Sequence, residues 1–148
     1  MKGKVIFLAA AMGTLWSAAA FGAQFPDVPT DHWAYNEVVK ASEISFISGM
    51  DDGTFGLGQT VTRGQFVSMM CRMFGWELVD AKSGSFADNQ DVNQWYFKSV
   101  ETAAQHGALD GSAQNFRPND NITREEMAVM LVKGLGYDNL VETAAAAA

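Results

Sequence analysis

Apolar residues recur at helical spacing in four stretches of the chain, and the polar residues between them punctuate turns. Val38, Ala41 and Ser45 fall at i, i+3 and i+7, with Trp33 one turn upstream, which predicts a helix from Trp33 to Ser45 with Asp31 as its N-cap. Val100, Ala103 and Gly107 lie below Trp95 in the same way. Each of these helices is followed by a short apolar step, Phe46-Ile47 or Ala108-Leu109, ending at Gly49 or Gly111. A loop comes next, MDDGTFGLGQ in one case and SAQNFRPND in the other. Asp52-Gly53 marks a turn and Pro118 bars helix there. A second helix is predicted behind each loop, with apolar faces at Phe66, Met69, Met70 and Met73, and at Met127, Met130 and Leu131. Gly75 and Gly136 stand where C-terminal caps belong.

The four helices are two copies of one unit. Phe25-Pro26-Asp27 returns as Phe86-Ala87-Asp88, Trp33 as Trp95, Phe55 as Phe116, and Thr62-Arg63 as Thr123-Arg124, at offsets of 61 or 62 residues. Self-similarity at a fixed period identifies a repeat protein. The second helices open on TRGQ and TREE, so Thr62 with Gln65, and Thr123 with Glu126, are predicted capping boxes. Capping explains the threonine and the Gln/Glu but not the arginine, because a cation in the first turn opposes the helix dipole. Two readings of Arg63 and Arg124 stand side by side on physical grounds. One is an ion pair with an acid of a neighbouring unit, such as Asp27 or Asp88. The other is an anion site built from free helix N–H groups and a guanidinium fork.

Composition adds an export signal and removes several functions. The chain has 148 residues, 48% of them hydrophobic, and a formal charge of -7. Residues 1–23 carry Lys2 and Lys4, an apolar run from Val5 to about Leu15, then small residues, the layout of a secretory signal peptide. Without those two lysines, eight basic side chains face seventeen acidic ones, which argues against nucleic acid as a partner. Cys71 is the single cysteine, so no internal disulfide forms, and its apolar neighbours predict a core thiol. His32 and His106 have no partners at zinc spacing, and Asp51-Asp52-Gly53 lacks the alternating acids of a calcium loop. No metal, cofactor or nucleophile–base set is expected, and hence no enzyme activity in these repeats. Trp33 and Trp95 are expected to be core anchors first and site walls second.

The ordered set FPDV, HWA, GMDDGTF, TRGQ, and then FADN, QWY, GSAQNF, TREE, resembles the S-layer homology domain over residues 25–137. The resemblance implies a mainly α fold of helix-loop-helix repeats that form part of a three-pronged helical spindle. The expected division is 1–23 signal peptide, 24–80 first repeat, 81–140 second repeat and 141–148 linker or truncated tail. It further implies non-covalent anchoring of an exported protein to the cell wall, through a secondary cell-wall polysaccharide, pyruvylated, linked to peptidoglycan. Carried over by motif, the glycan-binding residues are Arg63 and Arg124 for the carboxylate, Trp33, Trp95, Gly49 and Gly111 for the groove, and Asp27 and Asp88. The same resemblance fits the tether of a larger exported enzyme or outer-membrane protein whose functional domain lies beyond residue 148. Such repeats usually come in threes, so two alone are expected to self-associate or to meet S-layer partners, at the cell surface. Unit one departs from the family at Gly64-Gln65, where Gly64 is expected to weaken the first helical turn. Unit two departs at Glu125, which sets a negative charge beside Arg124.

Overall fold

A computed structural model describes residues 25–137; the expected signal peptide and the residue 141–148 tail lie outside them. The described chain forms α1 (Tyr35–Glu43), α2 (Arg63–Phe74), α3 (Phe97–Gln105) and α4 (Arg124–Gly134), with one isolated antiparallel bridge between Thr62 and Asn121. The fold is mainly α, two helix-loop-helix units in tandem. Among the described residues no helix is long and apolar enough to cross a membrane.

The second helix of each unit follows its local code. In α2 the Thr62 hydroxyl accepts from the Gln65 N–H at 3.2 Å and the Gln65 side chain accepts from the Thr62 N–H at 2.9 Å. In α4 the Thr123 hydroxyl accepts from Glu126 N–H at 3.3 Å and the Glu126 carboxylate accepts from Thr123 N–H at 2.9 Å. Gly75 closes α2 in the left-handed region, and Gly136 lies one residue past the α4 cap with φ 71°.

The first helices are shorter than their periodicity predicts. α1 begins at Tyr35, its N-cap is Ala34, and no side chain caps it. Asp31 is displaced from that role by two tight turns, in which the His32 N–H bonds Pro29 O and the Tyr35 N–H bonds His32 O, both at 2.9 Å. The chain therefore reaches helical geometry four residues after Asp31. α1 ends at Glu43 because Ser45 adopts φ 58°, the left-handed conformation that Gly107 adopts after α3 at φ 72°.

The tryptophans are not core anchors. Trp33 is 87% exposed and Trp95 60% exposed, while the next residues turn inward, Tyr96 and Phe97 being buried. The loop-and-turn start of each first helix rotates Trp outward and hands the core to its C-terminal neighbours.

Two hydrophobic clusters of unequal size hold the units. The smaller joins Phe25, Val28 and Val38, flanked by Tyr35, Ile47, Phe55 and Leu57. The larger includes Val67, Met70 and Cys71 of α2 together with Phe86, Tyr96, Val100, Ala103, Leu109, Phe116 and Met130. α2 thus belongs to the first unit by sequence and to the second unit's core by packing, and its chief helix contact is α3. Burial pushes the Cys71 thiol up to about 11, so it stays protonated and unreactive at neutral pH.

Candidate functional site

The junction between the units is built on the chain entering α2. Val61 O accepts from Ile122 N–H at 3.0 Å, and the Thr60 hydroxyl donates to Asn121 Oδ1 at 2.9 Å. The first two N–H groups of α2, which no helix can satisfy internally, go to the second unit's loop: Arg63 N–H to Asp120 O at 2.9 Å and Gly64 N–H to Pro118 O at 2.8 Å. Gly64 is what allows this approach. A Cβ there would sit 3.1 Å from Pro118 O and 3.3 Å from Tyr96 Cβ. The glycine that costs helix propensity is the contact point of the two repeats.

Arg63 follows its backbone into the second unit. It is 9% exposed. Its Nε donates to Phe116 O at 2.7 Å, Nη1 meets Glu126 Oε1 at 2.6 Å, and the guanidinium lies 4.9 Å from the Phe116 ring centre. Arg117 reaches the same Glu126 oxygen at 2.8 Å and Asp120 at 3.5 Å. Glu126 therefore caps α4 and pairs with two arginines at once. Its pKa is held below the usual value, first by the Thr123 N–H; burial opposes this, and the charges of Arg63 and Arg117 lower it further. Burial lowers the Arg63 pKa, and Glu126 is the leading opposing charge. The ion pair open to Arg63 from sequence is real, but its partner is the capping glutamate of the next unit rather than Asp27 or Asp88.

Asp27 and Asp88 have another task. Asp27 accepts N–H bonds from Phe55, Gly56 and Leu57 at 2.7 Å, 2.8 Å and 3.1 Å, and these hold its pKa below the usual carboxylate range. Asp88 accepts from Phe116 at 2.8 Å and Arg117 at 2.7 Å. Each aspartate at a repeat's start fixes the loop before that repeat's second helix. In unit two that loop carries Phe116 and Arg117, the residues that grip Arg63 and Glu126.

A groove of about 220 Å³ opens beside this clasp. Phe86, Leu109, Phe116 and Met130 supply its apolar walls, and Arg63, Lys133, Asp110, Glu125 and Glu126 its charged rim. Of the glycan-binding residues expected by motif, Arg63 lines it; Arg124, Trp33, Trp95, Gly49, Gly111, Asp27 and Asp88 do not. Arg124 is exposed and forms no ion pair among the described residues. The N–H groups of Arg124 and Glu125 likewise find no protein partner among them. Gly49 is a packing glycine, since a Cβ there would come within 2.6 Å of Thr54 O, whereas Gly111 faces open space.

These two units match the S-layer homology domain at residues 24–67 and 85–128. The chain belongs to that family. It is 33% identical to an S-layer protein of Bacillus thuringiensis subsp. finitimus over 129 residues, which is 87% of this chain and 16% of the relative. It is 31% identical over 127 residues to an amylopullulanase of Thermoanaerobacterium thermosulfurigenes, covering 86% of the chain and 7% of the relative. With an endo-1,4-beta-xylanase A of Thermoanaerobacterium saccharolyticum it shares 34% identity over 106 residues, 72% of the chain and 9% of the relative. The chain thus spans less than a fifth of the length of these relatives. S-layer homology repeats are cell-surface anchoring modules, and this membership places the chain outside the cell, at its surface.

Sequence reasoning missed Phe116 O, Arg117 and the pairing role of Glu126. The available signal was in the loops. Where unit one has Gly56-Leu57, unit two has Arg117-Pro118, a cation placed just before a glutamate-capped helix.

Proposed function

We propose that these repeats fasten an exported protein to the bacterial wall by binding a secondary cell-wall polysaccharide linked to peptidoglycan. The acidic sugar of that polymer, a pyruvyl ketal, meets Arg124. The observation that supports this is the contrast between the two arginines. Arg63 is consumed by the junction, while Arg124 stands at the start of an eleven-residue helix with its guanidinium exposed and the first-turn N–H groups of Arg124 and Glu125 unpartnered among the described residues. A carboxylate fits both features. The relatives support a tether without chemistry of its own, since similar repeats occur in S-layer proteins and in polysaccharide-degrading enzymes. In a longer protein, the cargo would supply the activity.

Loss of one charge-assisted hydrogen-bonded pair costs about 1.5–3 kcal/mol. Arg124→Ala should therefore weaken co-sedimentation with purified cell walls at least about tenfold while the fold, read by circular dichroism, is unchanged. Wild-type sedimentation of that variant would remove Arg124 from the site. Walls stripped of their secondary polysaccharide should retain neither protein.

A further inference from the structure

The junction inside the chain has two halves, and each half occurs a second time, open, at the opposite end of the molecule. The inserting half is α2, which buries Arg63, Gly64, Val67, Ser68 and Cys71. Their counterparts on α4, 61 residues on, are Arg124, Glu125, Ala128, Val129 and Val132, and all five are exposed. The receiving half is α3 with the loop before α4. There the N–H groups of Arg63 and Gly64 and the Arg63 Nε end on the carbonyls of Asp120, Pro118 and Phe116. The matching carbonyls of the first unit belong to Gln59, Leu57 and Phe55, and among the described residues none of them accepts a hydrogen bond. The helix beside them, α1, buries Val38 alone, and its Ala41 is half-buried where Ala103 of α3 is closed off. Open donors and an apolar stripe at one end thus match open acceptors and a helix face at the other.

From this match we infer that α4 of one copy of the chain docks on α1 and the 55–59 loop of a second copy, repeating the contact that α2 makes within the chain. The Arg124 N–H then donates to Gln59 O, the Glu125 N–H to Leu57 O and the Arg124 Nε to Phe55 O, while Val129 and Val132 lie against α1. The contact is head-to-tail, so every added copy leaves one inserting and one receiving half open. It is weaker than the internal junction for two reasons. Gln65 stands where Glu126 supplies a charge, and Glu125 stands where Gly64 allows close approach, a Cβ at Gly64 being already 3.1 Å from Pro118 O. The donors of Arg124 are also those offered above to an acidic sugar. On that reading, a second copy and the wall polymer exclude one another at α4, and the protein releases its own copies as it takes the wall.

Sedimentation equilibrium of the full chain tests the contact. The wild-type mass should rise with concentration from one chain to beyond two. Val132→Asp spoils the inserting half at a position exposed in the single chain, and Ala41→Glu spoils the receiving half. Each variant alone should keep the mass of one chain and a wild-type melt, and the two mixed should form a pair and nothing larger. Glu125→Gly should tighten association of the otherwise wild-type chain about tenfold. An N-acetylhexosamine methyl glycoside carrying a pyruvyl ketal, at saturation, should return the wild type to single chains. A wild type that keeps the mass of one chain at its highest soluble concentration overturns the inference. Association undiminished in either variant alone, or variants that fail to pair when mixed, overturns it as well, because the contact is then not head-to-tail. Association that ignores the ketal, in a protein whose variants pair, overturns the exclusion and removes the acid from Arg124, while the contact between copies stands.

Discussion

The two Thr-Arg motifs sit at the same point of the same helix in successive repeats, yet their arginines live in different media. Arg63 is buried, bonded through its backbone, its Nε and its Nη1 to the following unit. Arg124 is exposed, and the equivalent backbone donors have no partner among the described residues. A repeat motif fixes where a side chain starts. What that side chain becomes depends on what packs against it. In this chain the first copy of the motif is joinery, and the second is available surface.

The largest test of this contrast is alanine at each arginine. Arg63→Ala leaves Phe116 O without its donor and Glu126 with Arg117 as its one remaining arginine, and should lower the unfolding free energy by about 3 kcal/mol. Arg124→Ala should change it by less than about 0.5 kcal/mol. Urea denaturation of both variants checks this, and equal costs would erase the distinction. Acid should weaken the junction in the same direction as Arg63→Ala. The Glu126 pKa is depressed in the folded state, so its contribution is present above the unfolded value and is lost as pH falls through the folded one. Melting temperature should therefore drop below about pH 4, and Glu126→Gln should flatten that part of the profile relative to wild type.

Gly64 gives a smaller and more pointed comparison. Alanine is normally favoured over glycine in a helix by up to about 1 kcal/mol, but here its Cβ would press on a carbonyl 3.1 Å away that belongs to the junction. Overpacking of this kind costs about 1–3 kcal/mol, so Gly64→Ala should be net destabilising by about 1 kcal/mol. Glu125→Ala, at the same position of the second unit, should be neutral within about 0.5 kcal/mol. The smallest effect belongs to the left-handed residue after each first helix. Ser45→Gly should stabilise by about 0.5 kcal/mol, and Gly107→Ser should destabilise by a similar or slightly larger amount. Thermal melts of the two exchanges would show whether the repeats share this backbone constraint.

What could be read from the chain was what depends on neighbours in sequence. Both capping boxes and the glycines at the ends of α2 and α4 follow from three- and four-residue spacing, but the apolar face expected of α2 at Phe66, Met69, Met70 and Met73 is rotated, because α2 packs Val67, Met70 and Cys71 into the second unit's core and leaves Met73 47% exposed. The start of α1 was misread because the Pro29–His32 turn overrides Asp31, a competition between two local bonding patterns that spacing alone does not decide. The burial of Arg63 was not legible at all. Its partner Glu126 already had a sufficient reason to exist as a cap, and its second role depends on the loop held by Asp88. Likewise the outward turn of Trp33 and Trp95 is set by the turns before α1 and α3, and large aromatic residues carry no mark in the sequence of which way they face.

The packing of α2 into the second unit's core bears on how such arrays can be cut and joined. A break near residue 80, where the sequence repeat begins again, would leave the downstream piece without Val67, Met70 and Cys71 and with an open face on α3. The piece that carries its own interior runs from about Thr60 to Tyr137, out of phase with the repeat by roughly a third of its length. Domain grafting, limited proteolysis and recombination between relatives would all meet the same rule: the joint that heals is in the loop after Gly49, in the middle of the written repeat.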